Sequence, residues 1–446
     1  MTTPICDFVT SYALSGKVRF HMPGHKGVSI HGAEPLDITE INGAGYLYSD
    51  EGIIAESERN ASMLFGTERT LYSTEGSSLS IKTMLATAVT TLKKDGERPV
   101  ILAGRNAHKA FLDAAALIDF DVKWLMPGTD DKNICSCDIA PADVENALAA
   151  MPDKPIAVYV TSPDYCGNML DIEGISRVCR EYSLPLLVDN AHGAYLKFLS
   201  KSLHPIDLGA DMCCDSAHKT LPVYTGGGYL HISRNADTRF VKNAKALMSM
   251  FASTSPSYII MQSLDLCNAL LSTTFPTELE EAVSRVNTVK NEITEMGYAL
   301  GGDEPMKITI LPGSFGYTGD ELAEHLREND IECEYSDPFA LVLMPSVYNS
   351  EDDYDRLLFA LSLLNKRRAI ESELPALPEP VVAMSIRQAA FSLSRRVNVD
   401  DAKGLICGRT AVCCQPSIPL AVSGELITDE IIKILKRYSI FEIVVL

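Results

Sequence analysis

LPLLVDNAHGAY (184–195) and ADMCCDSAHK (210–219) decide how this chain is built. Each opens with a short apolar run of strand length and then breaks into polar side chains. The first run ends at Asp189, and the second leads through Ser216, Ala217 and His218 to Lys219. An acid at the end of one buried strand and a lysine just past another is how many enzymes hold pyridoxal phosphate. The lysine amine condenses with the cofactor aldehyde. The carboxylate keeps the pyridine nitrogen protonated, which makes the ring an electron sink for a bond broken at an amino acid's α-carbon.

The same pattern extends outward. RPVILAG (98–104), IAVYVTSP (156–163) and GGGYLHIS (226–233) read as further strands, and helices are predicted over 77–94, from about 107, and over 141–151. Apolar strands that alternate with helices and end in functional side chains predict an α/β fold with a mostly parallel sheet. Ligands then sit at the carboxyl ends of the strands.

Four regions follow. Residues 1–50, rich in Gly, His and Pro, read as an irregular N-terminal segment that wraps another surface, such as a partner subunit. Residues 51–276 form the cofactor-binding major domain. Residues 277–370 form a small α/β domain, with helices at 278–296, 319–329 and 351–368 and strands at MKITILP (306–312) and ALVLM (340–344). The proline-rich ESELPALPEP (371–380) opens a C-terminal α+β domain, 371–446, with a helix at 428–437 and a closing strand FEIVVL (441–446).

Composition excludes several classes. At 446 residues the chain has room for two or three domains. A net charge of −20 argues against nucleic acid as a partner. No apolar run reaches about 18 residues, so no membrane span is expected, and MTTPICDFVTSYAL lacks the basic start and long apolar core of a signal peptide. The twelve cysteines are irregularly spaced without a CxxC pair, which fits free thiols in a reducing cytoplasm. His21, His25 and His31 lack partners at a ligand spacing, so no metal is expected. No GxGxxG follows a strand.

Further residues gather around the opening pair. Ser77 and Ser78, after Gly76 at a helix start, suit a phosphate group, though a simple N-cap reads equally from the string. Ser216 and His218 could complete that cup. His108, in GRNAHKA, stands just beyond a strand, where an imidazole could stack on a pyridine ring or be a plain loop histidine. His192 could support Asp189 or meet a substrate carboxylate. Thr161, with Ser162 and Tyr165 in TSPDYCG, ends a strand and would line the cofactor pocket.

Taken together, the strings resemble one family, the pyridoxal-phosphate-dependent ornithine/lysine/arginine decarboxylases of bacterial type, on the aspartate-aminotransferase-like fold (fold type I). FHMPGHKG, DITEINGAGYLY, ERNASMLFGTERTLYSTEGSS, RNAHKA, TSPDYCG, DNAHGAY and SAHKTLP follow the family's order, and residues 386–428 resemble its C-terminal domain. The likeness spans nearly the whole chain, in the short form without the extra N-terminal domain. It implies that Lys219 holds the cofactor, Asp189 its ring nitrogen and His108 its ring face, with Ser77, Ser78, Ser216 and His218 around the phosphate. Lys219, Asp189, His108 and His192 would then be the catalytic set. It also implies a basic amino acid as substrate, a polyamine-type amine as product, and a homodimer or higher homo-oligomer.

The chain departs from the pattern in three places. Glu75 replaces an asparagine beside the phosphate cup, and its charge must point away, meet a cation or weaken binding. Asp164 and Cys166 stand where threonine and aspartate are usual, and CCQPSIP (413–419) replaces a tyrosine-proline-proline-glycine run. Glu332, Glu334 and Asp337 are candidates for a substrate's distal cation, or form a solvated acidic loop. The same lysine and aspartate also serve aminotransferases and β-eliminating lyases, and a non-catalytic cofactor-binding protein is a further alternative.

Overall fold

A computed structural model describes residues 1–128, 136–370, 377–412 and 419–446. The first half of the proline-rich stretch and the CCQPSI run lie outside the described residues.

Seven strands make the main sheet: β1 (Arg69–Ser73), β2 (Val100–Gly104), β3 (Asp121–Leu125), β4 (Ala157–Thr161), β5 (Leu186–Asp189), β6 (Met212–Asp215) and β7 (Gly228–Ile232). Their order is β1-β7-β6-β5-β4-β2-β3. β5 and β6 run parallel with Asp189 opposite Cys214, so the polar ends of both opening strings emerge side by side. β7 runs antiparallel to β6 and to β1. The sheet is thus the mostly parallel one expected, with a reversed strand near one edge. β1 was not foreseen; its pairing partner, β7, lies far along the chain.

The chain divides into two compact units. The first comprises Met1–Leu102, Ala150–Val160 and Ile172–Pro276. Within it the helix Gly76–Leu92 is buried on most of its surface, which is why its sequence is small and apolar nearly all round. Gly76 sits at φ +64°, a conformation that favours glycine, and donates its N–H to Gly226 O at 2.7 Å. The N-terminal segment differs from expectation. Pro4–Leu14 is a helix, with Ile5 and Val9 fully buried. Its first N–H groups, on Ile5 and Cys6, bond the carboxylate of Asp265 at 2.9 and 3.0 Å. That carboxylate lies some 260 residues along the chain, which periodicity in the segment itself does not reveal.

The second unit comprises Ala103–Ala149, Thr161–Asp171 and Thr277–Leu446. It carries an antiparallel sheet of β8 (Ala299–Gly301), β9 (Ile308–Leu311), β10 (Tyr335–Ser336) and β11 (Leu341–Leu343), in the order β10-β11-β9-β8. Helices Gly319–Glu328 and Glu351–Ser362 start with capping boxes at Thr318 and Ser350. The second stops short of the expected residue 368. Beyond it, the N–H groups of Arg367 and Ile370 bond Phe315 O and Gly313 O, which draws the chain off the helix axis. Toward the C-terminus, strands Arg395–Asn398 and Glu442–Val445 pair antiparallel, and helix Asp429–Arg437 packs Ile431, Ile434 and Leu435 against Leu420, Ile427 and Val445.

Candidate active site

Asp189 ends β5 and is 2% exposed. Its Oδ2 accepts the Tyr159 hydroxyl at 3.1 Å, and its Oδ1 accepts the Ala191 N–H at 3.2 Å and the Cys214 thiol at 3.5 Å. Burial, reinforced by the charge of Asp189, pushes the Tyr159 phenol and the Cys214 thiol well above their ordinary range, so both remain protonated donors. These contacts orient the carboxylate without neutralising it, and a buried carboxylate of this kind calls for a cation.

The next residue holds the loop in place. Asn190 donates its backbone N–H to Cys214 O at 3.0 Å and its amide to Asp215 Oδ1 at 2.7 Å. Asp215 is fully buried, and its Oδ2 also receives His204 Nε2 at 3.2 Å and His231 Nε2 at 3.0 Å. Although burial opposes its charge, the two imidazoles hold its carboxyl well below the usual range. Among the described residues this trio is a set of metal-ligand types that the sequence reading, confined to His21, His25 and His31, did not bring together. An ionised carboxylate can only accept, so each imidazole donates its Nε2–H to Asp215.

Lys219 lies on the short helix Ala217–Thr220 that follows β6. Its Nζ is 2.9 Å from His192 Nε2, so a proton can pass between them. His218 Nδ1 bonds Gly227 O at 2.8 Å, and burial lowers its pKa, leaving a neutral ring tied to the glycine run. The Ser216 hydroxyl donates to Ser77 Oγ at 2.8 Å, joining the lysine loop to the start of the helix Gly76–Leu92. That helix has no side-chain cap. The Glu75 carboxylate turns instead to the Ser253 N–H at 2.7 Å, which answers where its charge goes. An uncapped helix N-terminus bearing Ser77 and Ser78 suits a phosphate dianion, and the buried acceptor Asp189 suits a pyridinium N–H. The residues fit pyridoxal phosphate.

The first unit therefore gathers Ser77, Ser78, Asp189, His192, Ser216, His218 and Lys219. His108 and Thr161 belong to the second. His108 is the N-cap of the helix Lys109–Ile118, with Nδ1 accepting the Ala110 N–H at 3.0 Å. The Thr161 hydroxyl is buried without a hydrogen-bond partner among the described residues. The Ser162 hydroxyl accepts the Leu170 N–H at 3.0 Å and so serves its own loop. Tyr159, Asn190, Cys214 and Asp215 were missed. Tyr159 and Cys214 hide inside apolar runs, where only strand pairing shows what their polar ends meet.

A sequence profile described as the major domain of Orn/Lys/Arg decarboxylases matches residues 3–301. The chain belongs to this family. In full-length comparison this decarboxylase is 28% identical to the arginine decarboxylase of Bacillus anthracis, over 98% of its own length and 92% of the relative's. It is 22% identical to lysine decarboxylase LdcA of Pseudomonas aeruginosa, over 60% of its own length and 40% of the relative's. Among solved structures, the Francisella novicida lysine decarboxylase LdcF superposes with a TM-score of 0.80 at 18% identity, over 98% of this chain and 77% of that one. That likeness establishes a fold type I architecture for the decarboxylase.

The acidic string ECEYSDP separates into three roles. Glu332 pairs with Arg327 Nε at 3.1 Å. Asp337 is buried and accepts the Phe339 and Ala340 N–H groups at 2.7 Å each, a turn-forming duty. Glu334 is exposed and accepts the Tyr165 hydroxyl at 2.8 Å. At the altered TSPDYCG loop, Asp164 accepts both the backbone N–H and the side-chain amide of Asn168, at 2.9 and 2.8 Å.

Proposed function

We propose that the chain is a pyridoxal-phosphate-dependent decarboxylase of a basic amino acid, with arginine first and lysine or ornithine as alternatives. The carrying observation is the convergence of Asp189, His192 and Lys219 at the ends of two adjacent parallel strands, beside the uncapped serine-bearing helix start. Arginine ranks first because relatives aligned over nearly the full length carry that name.

Bound pyridoxal phosphate supplies an electron sink for the bonding pair left when the α-carboxylate departs as carbon dioxide. The chain's residues do the rest. Lys219 would hold the cofactor through its amine. Asp189 keeps a proton on the ring nitrogen, held in orientation by Tyr159 and Ala191. Ser77, Ser78 and Ser216 bind the phosphate. His108 is assigned to the ring face and Thr161 to the pocket lining. His192, 2.9 Å from Lys219 Nζ, can exchange a proton with it, and either group would serve to reprotonate the α-carbon.

The protein acts as a homodimer or larger homo-oligomer. In its favour, Leu14, Val18, Phe20, Val28 and Ile30 are each more than 60% exposed, a run of apolar side chains that a second subunit would cover. A cytoplasmic location agrees with nine free cysteines among the described residues. No helix among those residues is long and apolar enough to cross a membrane.

Incubation of the cofactor-loaded protein with arginine, lysine, ornithine and other amino acids tests the reaction. Carbon dioxide and the matching amine are expected from a basic substrate. A keto acid, or ammonia without carbon dioxide, would assign an aminotransferase or a lyase instead.

A further inference from the structure

The segment that carries His108 is held at both ends by the C-terminal region. At its start, Arg105 is 2% exposed and grips Glu425 with two bonds, Nη1 to Oε1 at 2.6 Å and Nη2 to Oε2 at 2.8 Å. The guanidinium also lies 4.9 Å from the centre of the Trp124 ring, and the Arg105 N–H bonds Leu125 O at 2.9 Å. Glu425 is itself buried, and its Oε2 accepts the Val422 N–H at 2.8 Å. A fork-to-fork pair fixes the plane of both groups, which a single contact does not.

At the other end, the helix Lys109–Ile118 offers its last carbonyls. Arg387 Nη1 donates to Ala116 O at 2.8 Å and to Leu117 O at 3.2 Å. A cation there satisfies orphan carbonyls and complements the helix dipole. His108 lies between the two grips. Its ring orientation is set by the helix it caps, because Nδ1 is committed to the Ala110 N–H.

We propose that Glu425 and Arg387 are positioning residues for His108, so that the C-terminal region sets the ring-facing histidine. The proposal rests on the assignment of His108 to the cofactor. Removing the Glu425 charge leaves Arg105 buried and unpaired; the guanidinium must then seek water and take the Arg105–His108 loop with it. Arg387 acts more gently, because it is exposed and its loss only loosens the helix end.

The experiment compares holoenzymes carrying Glu425→Gln, Arg387→Gln and His108→Ala, and each positioning variant combined with His108→Ala. The readouts are kcat/KM and circular dichroism in the cofactor absorption band. With His108 present, Glu425→Gln should lower kcat/KM by about tenfold, with a smaller loss for Arg387→Gln, and both should change the cofactor signal. With His108→Ala in place, each should cost less than about twofold. Equal losses in both backgrounds would mean support of the fold alone and would overturn the proposal. A His108→Ala enzyme with native turnover and cofactor signal would overturn both the proposal and the assignment of His108. If Glu425→Gln does not fold, the Arg387→Gln pair decides.

Discussion

Asp189 shows at the scale of one residue what sequence reveals and what it withholds. Its place at the end of LPLLVD announced a buried acid near a lysine. The donors that aim it, Tyr159 and Cys214, were invisible because each looks like ordinary strand filling. Asp189→Ala removes the partner of the ring nitrogen but leaves the phosphate and lysine contacts. It should retain part of the cofactor affinity and lose turnover by roughly 100-fold or more, a loss of preorganised charge in a buried site. Steady-state kinetics beside a cofactor titration would show it, and near-native turnover would refute the role. Gly193 makes a second case. A methyl group there would collide with Asn190 Oδ1 and Leu196 Cδ1. Gly193→Ala should displace the Asn190 amide from Asp215 and cost about 1–3 kcal/mol of stability, with weaker cofactor binding. Thermal unfolding with and without cofactor would measure both effects.

Among the elements, the strands facing the site were legible because burial on both faces leaves an unbroken apolar signature. β1 and the N-terminal helix were not, since each depends on a partner far along the chain, β7 for one and Asp265 for the other. The loop TSPDYCG (161–167) was recognised as a motif, but the consequence of its altered residues needed coordinates. Asp164 is 4% exposed, and burial raises its pKa from 3.8 to about 6. The folded state therefore holds this proton more tightly than the unfolded chain does. The resulting stabilisation is complete below the unfolded value and is lost as pH rises through about 6. Urea unfolding should show the wild-type protein gaining up to about 3 kcal/mol, relative to Asp164→Asn, between pH 7.5 and pH 4. A pH-independent difference between the two proteins would contradict the shift.

For the whole molecule, the family and the sheet were readable from several strings in one order, which no single motif would have secured. The division into two compact units was not, because each unit draws on discontinuous stretches that only contacts define. The contact of Glu425 with Arg105 belongs to the same class, joining residues 320 apart. Substrate choice rests on side chains that no string identifies, and Glu334 is an exposed acid of its group, bonded by the Tyr165 hydroxyl. Everything proposed about catalysis depends on where the cofactor is attached. Borohydride reduction of the pyridoxal-phosphate-loaded protein, followed by peptide mass mapping, tests this most directly. The added phosphopyridoxyl mass should fall on the peptide containing Lys219 and be absent in Lys219→Ala. Its appearance on Lys26 or Lys109 instead, or no label at all, would contradict the assignment.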